Sequence, residues 1–376
     1  MNAIYSSVCA LLTAGYLLLV LYLIKGWFSL KHPQLKTGGF STKVTVMIAA
    51  RDEEERIHLT IEDILAQDYP KELTEIIIVD DHSTDNTAKI IAGYSDRGVK
   101  LLQLNEAKPL NSYKKKAIAR AIGMSTGDLM VATDADCRMG PKWLSSVVGY
   151  YEAEQPVMIS SPVTYFEERS LFERLQTLEF SYLIGVGAAF IGNKRAWTCN
   201  GANLAYRKDI FYEVGGFSGI DDLASGDDEL LLQKVTERFR GKIGFLNVSD
   251  AVVYTHAKHT LSSFLSQRRR WASKSTKYKD KKVVGFALLI WFFNMSMLLN
   301  LLFGIFSRDF LNIFFIQFAL KCLIEVIYLF PLCAFFKRTE LLRLYLIVAP
   351  MHVIYMAYLG LMGPNRKYHW KGRMVK

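Results

Sequence analysis

Hydrophobic and polar positions divide this chain into apolar blocks toward its two ends and a mixed stretch between them. Residues 5–24, 283–306, 310–336 and 341–362 are nearly all apolar. A bilayer core of ~30 Å needs roughly 20 apolar residues in a helix, and each block is about that long. Four such blocks make a soluble core helix a poor explanation and predict an integral membrane protein. No Lys or Arg precedes the first block, which is longer than the roughly 7–15 residues of a signal-peptide core. Residues 1–24 are therefore expected to remain as an anchor.

The middle of the chain follows a different rhythm. Residues 43–50, KVTVMIAA, predict a strand, and Ile57, Ile61, Ile64 and Leu65 then recur at helical spacing. Residues 75–79 predict a second strand, ending at Asp80-Asp81. Ser83-Thr84-Asp85 offers N-cap groups for a helix over 88–92. A strand over 99–104, a helix over 114–124 and a strand over 129–133 complete this half. Val- and Ile-rich strands alternating with helices predict an α/β domain with a mostly parallel sheet covered on both faces. Ligands of such sheets bind at the carboxyl ends of the strands. Arg51-Asp52-Glu53, Asp80-Asp81 and Asp134-Ala135-Asp136 each fall where a predicted strand ends, which predicts one shared site rather than three unrelated acidic loops. Beyond Lys142 the pattern loosens into a helix, a strand over 157–161, a long helical segment over 171–187 and a turn at Asn200-Gly201-Ala202-Asn203. Asp227-Asp228-Glu229 opens another helix, and Leu261, Phe264, Leu265 and the arginines after them form an amphipathic segment suited to a headgroup region.

The formal charge of +10 comes largely from clusters at 114–116, 268–282 and 366–376, mostly beside apolar blocks where anionic lipid heads attract them. No nucleic-acid motif accompanies them, so nucleic acid is not an expected partner. Lys25, Lys31, Lys36 and Lys43 follow the first block, and the positive-inside bias puts a domain over 25–260 in the cytoplasm. An interfacial segment over 261–282, three membrane segments over 283–363 and a basic tail over 364–376 follow. Three further crossings would leave the tail outside, whereas its charge prefers the inside. One resolution is that a C-terminal segment is re-entrant or lies in the interface, with the third block, carrying Lys321 and Glu325, as the candidate; the alternative is that this block is an ordinary span with a buried ion pair. The five cysteines form no CxxC pair, which suits a reduced middle domain.

Candidate chemistry concentrates at the strand ends. Asp134 and Asp136 can present oxygen ligands to Mg²⁺ or Mn²⁺, which take one or two carboxylates and fill their shells with water and substrate phosphates. Asp80, Asp81 and Arg51 are placed to hold a nucleotide base and ribose, and Lys116 is the favoured phosphate partner among Lys114, Lys115 and Lys116. Asp227 and Asp228 are either helix caps or a general base for an attacking hydroxyl. In Gln267-Arg268-Arg269-Arg270-Trp271 the cations can grip a diphosphate and the indole can carry a sugar; the alternative is a lipid-facing anchor. His256 and His259 lack partners for a zinc site and are expected to be structural.

Taken in order, VTVMIAA with Arg51-Asp52-Glu53-Glu54, Asp80-Asp81-His82-Ser83-Thr84-Asp85, Gly127-Asp128 with Asp134-Ala135-Asp136, Asp227-Asp228 and Q-R-R-R-W resemble the membrane-bound family 2 glycosyltransferases over residues 43–274. The resemblance implies an inverting enzyme with the Rossmann-like GT-A fold, a nucleotide-sugar donor with a family leaning to uridine, and a lipid-linked or glycan acceptor. It implies that Asp80 or Asp81 contacts the base, that Asp136 helped by Asp134 binds the metal, and that Asp228 is the general base. Asp227 stands where the family more often has Glu. Ala50, Arg51, Glu53, Asn203, Gln267, Arg268, Arg270 and Trp271 become substrate contacts by the same comparison. Two activities fit it: single transfer in glycolipid synthesis, or processive polymerisation with a partner subunit for export. The location implied is a bacterial inner membrane with the catalytic domain cytoplasmic. None of the acidic motifs is lost, which argues against a non-catalytic scaffold.

Overall fold

The computed structural model describes residues 3–106, 110–278, 280–362, 368–370 and 373–375. After a long first helix, α1 (Ala3–Phe28), the chain builds β1 (Val44–Ala50), α2 (Ile57–Leu65), β2 (Thr74–Asp80), α3 (Thr87–Ala92), β3 (Val99–Gln103), α4 (Tyr113–Met124) and β4 (Leu129–Asp134). These strands lie side by side in the order β3-β2-β1-β4, all parallel. Both faces carry helices, so β1 and β2 read as unbroken apolar runs: Val44, Val46, Met47, Ile48, Ile77 and Ile78 are almost fully buried.

The sheet turns mixed beyond β4. A short β5 (Arg138–Met139) and α5 (Trp143–Glu154) lead to β6 (Met158–Ser160), β7 (Val163–Tyr165) and the long α6 (Leu171–Gly192). Then come β8 (Leu204–Arg207), α7 (Lys208–Glu213), α8 (Glu229–Arg238), β9 (Ile243–Phe245) and β10 (Val253–Thr255). Strand β8 runs antiparallel between β4 and β6, giving one seven-stranded sheet, while β5, β10 and β7 form a second, smaller one. The register fixes the site: β1 pairs Ala50 with Asp80 on one side and Ala49 with Asp134 on the other. The α/β GT-A fold expected from the sequence is the fold observed.

The remaining helices are α9 (Leu261–Ser273), α10 (Lys281–Phe303), α11 (Arg308–Phe335) and α12 (Tyr345–Met362), followed by a hairpin of β11 (Tyr368–Trp370) and β12 (Arg373–Val375). Among the described residues five helical segments are long and apolar enough to cross a membrane, one more than the apolar blocks in the sequence. The addition is α6, whose most apolar window is 67% buried inside the protein. It crosses α1 at two glycines. A Cβ on Gly192 would lie 2.0 Å from the Gly26 carbonyl oxygen, and one on Gly26 would lie 2.1 Å from that of Ala189.

Helices α1, α10 and α11 form a bundle with two distinct ends. At the far end Tyr5 and Phe303 both pack on Phe310; at the domain end Trp27 meets Phe335. Between them Gln317 donates to Thr13 Oγ1 at 3.0 Å and accepts from Asn300 at 2.9 Å, interhelical bonds of the kind that hold apolar helices together.

The segment over 341–362 behaves differently. Just before it Arg338 pairs with Glu168 of the domain at 3.0 Å; further along, Tyr355 packs on Phe264 and Arg269 donates to the Tyr358 hydroxyl at 3.2 Å, both partners lying on α9. Both ends of α12 therefore touch the domain side. Helix α11 runs over 28 residues, with Lys321 and Glu325 paired inside it. Residue 363 and, of the basic tail, residues 364–367, 371, 372 and 376 lie outside the described residues.

Candidate active site

At the end of β1, Arg51 donates through Nη1 to the carbonyls of Asp81 (2.8 Å) and His82 (2.7 Å), tying the first two strand-end loops together. Asp52 takes a left-handed φ of 48° and its carboxylate accepts from the Thr84 backbone N–H at 2.8 Å. Asp80 and Asp81 are both buried, yet they differ. Asp80 accepts from the Ser83 backbone N–H at 3.3 Å and lies off the central cavity, whereas Asp81 lines it. The Asp81 carboxylate is held by Arg373 of β12 at 2.8 and 3.0 Å, and that guanidinium sits 3.7 Å from the Tyr113 ring centroid.

Helix α4 starts at Tyr113, and this start sets the fate of the three lysines after it. Lys114 points into the site, 2.7 Å from Asp134 and 3.2 Å from Asp227. Burial pushes its ammonium down, but Asp134 and Asp227 outweigh burial and hold it well above the ordinary lysine value. Burial likewise raises the Asp134 carboxyl, and Lys114 more than reverses that, so it ionises below its ordinary range. Lys115 is buried and donates to the carbonyls of Ile220, Leu223 and Ser225 at 2.6–2.7 Å, anchoring the loop ahead of Asp227; burial lowers it to about 8. Lys116 is exposed and away from the cavity. The expectation that Lys116 serves the site is thus corrected: the helix phase gives that place to Lys114.

Asp228 caps α8, accepting from the Glu229 backbone N–H at 2.6 Å and from the Gly201 N–H at 3.1 Å, with Lys274 at 3.5 Å. Capping does not withdraw the pair from the cavity: Asp227 and Asp228 both line it. Gly226 before them has φ +89°, and a Cβ there would lie 2.8 Å from Leu230, so the turn needs glycine.

Helix α9 begins with a capping box between Thr260 and Ser263 and presents Gln267, Arg270 and Trp271 to the cavity. Spacings of three and four residues put these on one face. The arginines between them face elsewhere. Arg268 is 3% exposed, pairs with Glu179 at 2.6 Å and lies 4.3 Å from the Trp271 ring centroid, which removes it from the expected substrate contacts. Asn203 is also corrected to a structural role: buried, it accepts from Trp143 Nε1 at 2.9 Å and donates to the Pro162 and Ala251 carbonyls at 2.8 Å.

The cavity has a volume of about 670 Å³. It takes in Ala50, Arg51, Glu53, Asp134 and Asp136, and it continues among Tyr16, Leu19, Phe286, Ile290, Leu329 and Val348 of the apolar helices. Sequence reasoning missed several of its walls. Lys258, Lys274, Tyr278 and Glu229 line it, and so does His256, whose ring packs on Phe166 at 4.6 Å and is pushed below its ordinary pKa by burial. His259 does stay outside, 2.8 Å from Glu173. A lysine one turn past Trp271 was the available signal for Lys274; nothing local marks His256 or Lys258.

Among the described residues no three His, Cys, Asp or Glu side chains converge as a ready metal cage. Asp134 and Asp136 nevertheless face the cavity together, and Asp136 accepts only a long 4.0 Å contact from the Cys137 thiol among the described residues. Two carboxylates suit a hard cation that draws its other ligands from water and phosphate.

Residues 45–215 match the family described as Glycosyl transferase family 2. A probable glycosyltransferase, YdaM of Bacillus subtilis, is 27% identical over 281 residues, covering 67% of this chain and 62% of that protein. A beta-monoglucosyldiacylglycerol synthase of Synechocystis is 31% identical over 32% of this chain and 26% of its own length. A poly-beta-1,6-N-acetyl-D-glucosamine synthase of Staphylococcus aureus is 24% identical over 61% of this chain and 53% of its own. The matches thus span less than two thirds of each relative. Among solved structures, the Pyrobaculum calidifontis mannosyltransferase PcManGT, in complex with GDP-Man and Mn²⁺, superposes with a TM-score of 0.52 at 16% identity, covering 93% of this chain and 97% of that one.

Proposed function

We propose that this glycosyltransferase is membrane-bound and inverting, and that it moves one sugar from a nucleotide sugar to a hydroxyl of a lipid-linked or membrane-proximal acceptor. The observation that carries the reading is the continuity of one cavity from Asp134 and Asp228 to the apolar helices α1, α10, α11 and α12. A donor enters from the polar end and an acceptor from the apolar one. In this reading α1, α10 and α11 span a bacterial inner membrane, and α12 lies at the cytoplasmic interface. The basic tail then stays on the domain side, a reading supported by the contact of Arg373 with Asp81.

Asp228 takes the proton of the acceptor hydroxyl. The hydroxyl oxygen forms a bond to the anomeric carbon as the bond to the diphosphate breaks, and the nucleoside diphosphate leaves with inversion. Asp136 and Asp134 would hold Mg²⁺ or Mn²⁺, which supplies charge neutralisation for the diphosphate when bound. Arg270, Gln267 and Lys258 complete the phosphate end, and Trp271 carries the acceptor sugar. Positioning and fixed charge supply most of the barrier lowering.

A second reading, processive polymerisation, draws support from Glu325, Tyr345 and His352, polar groups at the helical end of the same cavity. Three bundle helices and a returning α12 enclose too little for a glycan channel without a partner subunit, so single transfer is preferred. Donor screening by nucleoside diphosphate release in nanodiscs, followed by product sizing, separates the two: one added sugar supports transfer, and a ladder of long products reverses the preference.

A further inference from the structure

Around Asp228 the charges are arranged in an order that neither a helix cap nor a simple ion pair requires. Lys274, on the turn after α9, is 8% exposed and lies 2.8 Å from Glu229 Oε2 but 3.5 Å from Asp228 Oδ1. Glu229, 5% exposed, also accepts from the Thr198 hydroxyl at 3.0 Å and from the Tyr278 hydroxyl. All of these side chains line the cavity. The stronger partner of the ammonium is thus the acid next to the base, and the base has the weaker share.

We propose that Lys274 and Glu229 are paired positioning residues for Asp228: the ammonium holds the carboxylate charged and aimed, and Glu229 draws off part of that ammonium so that Asp228 keeps enough basicity to accept a proton. This rests on Asp228 being the general base. A lysine paired with Asp228 alone would favour its ionised form so strongly that proton transfer to it would be disfavoured. With no lysine, the acid-rich site would favour the protonated form, since Asp227 and Glu229 flank Asp228 in sequence and Asp134 lies across the cavity, with Cys199 also near. Lys114 and Lys115 on α4 are further nearby cations; Lys114 is engaged by Asp134 and Asp227, and Lys115 by the carbonyls of Ile220, Leu223 and Ser225. Burial alone would raise the Asp228 carboxyl; Lys274 foremost, then the Glu229 N–H and Lys114, bring it below its ordinary range. Because Lys274 follows the arginine helix directly, the same contact ties the phosphate grip to the base.

The test uses the full-length protein in nanodiscs and reads kcat against pH by nucleoside diphosphate release, with donor affinity by calorimetry. Lys274→Met is expected to move the acid limb of the profile up by about one to three pH units. Glu229→Gln is expected to lower the plateau kcat about tenfold, since Lys274 then weakens the base. Donor affinity should stay within about twofold in both, and Lys274→Arg should restore the wild-type limb. An unmoved limb in Lys274→Met, or a wild-type plateau in Glu229→Gln, overturns the pairing. If Lys274→Met fails to fold, the Glu229→Gln plateau and the Lys274→Arg limb decide alone. Asp228→Asn separates the two levels: transfer that survives it defeats the base assignment itself, while loss there with unmoved limbs defeats only the pairing.

Discussion

Lys114 holds Asp134 at 2.7 Å and reaches Asp227 at 3.2 Å, so the acid that ends β4 and the acid pair that opens α8 share one cation. In an apolar-walled cavity that cation offsets two carboxylates which would otherwise repel each other. Lys114→Met is expected to cut kcat/KM by roughly a hundredfold or more, as for loss of a fixed charge at a reacting site. Lys116→Met, on the exposed side of the same helix, is expected to leave it within about twofold. Steady-state kinetics of the two variants check this, and equal losses would contradict it.

Neighbouring arginines should separate in the same way. Arg270→Ala is expected to lower kcat about 10²–10³-fold with little change in stability, because its guanidinium faces the cavity. Arg268→Ala should instead destabilise the fold by about 2–4 kcal/mol, leaving the largely buried Glu179 without its partner. Thermal unfolding in detergent beside kcat distinguishes the two effects.

The Asp81 carboxylate is occupied by Arg373. A base that binds Asp81 must first displace that guanidinium, so part of the binding energy is lost to the exchange. Arg373→Ala is expected to tighten nucleoside diphosphate binding about tenfold by calorimetry. Weaker binding in that variant would instead make Arg373 a donor contact.

How much of this was legible in the sequence depended on the range of the interactions. The strands were legible because β1 and β2 are buried on both faces and so are continuously apolar, and their ends located Asp81, Asp134 and Asp136 without any tertiary information. The Gln267, Arg270 and Trp271 face followed from helical spacing. The lysine triplet was not legible, since choosing between Lys114 and Lys116 needs the start of α4 to within one residue. Asn203 and Arg268 look functional in a motif but are used up by Trp143 and Glu179, partners 60 and 89 residues away. The contacts of α12 were hidden for a similar reason: its apolar composition suits a span or an interface equally, and only the fold brings Tyr355 and Tyr358 against α9.

In the proposed reading Asp136, helped by Asp134, holds the metal, although Asp134 also carries Lys114 at 2.7 Å. Asp136→Ala is expected to abolish Mg²⁺ or Mn²⁺ dependence and to weaken donor binding together, because the ion would bridge protein and diphosphate. Donor titrations with and without added metal check it; unchanged donor affinity in the variant would place the ion elsewhere.

Nucleoside diphosphate release by Asp228→Asn, measured beside donor affinity in nanodiscs with a glycolipid acceptor, bears most directly on the proposed chemistry. The amide keeps the shape of the side chain and its place at the head of α8 but cannot take the acceptor proton. The result predicted is loss of transfer with donor affinity nearly intact. Wild-type transfer by Asp228→Asn would contradict the account.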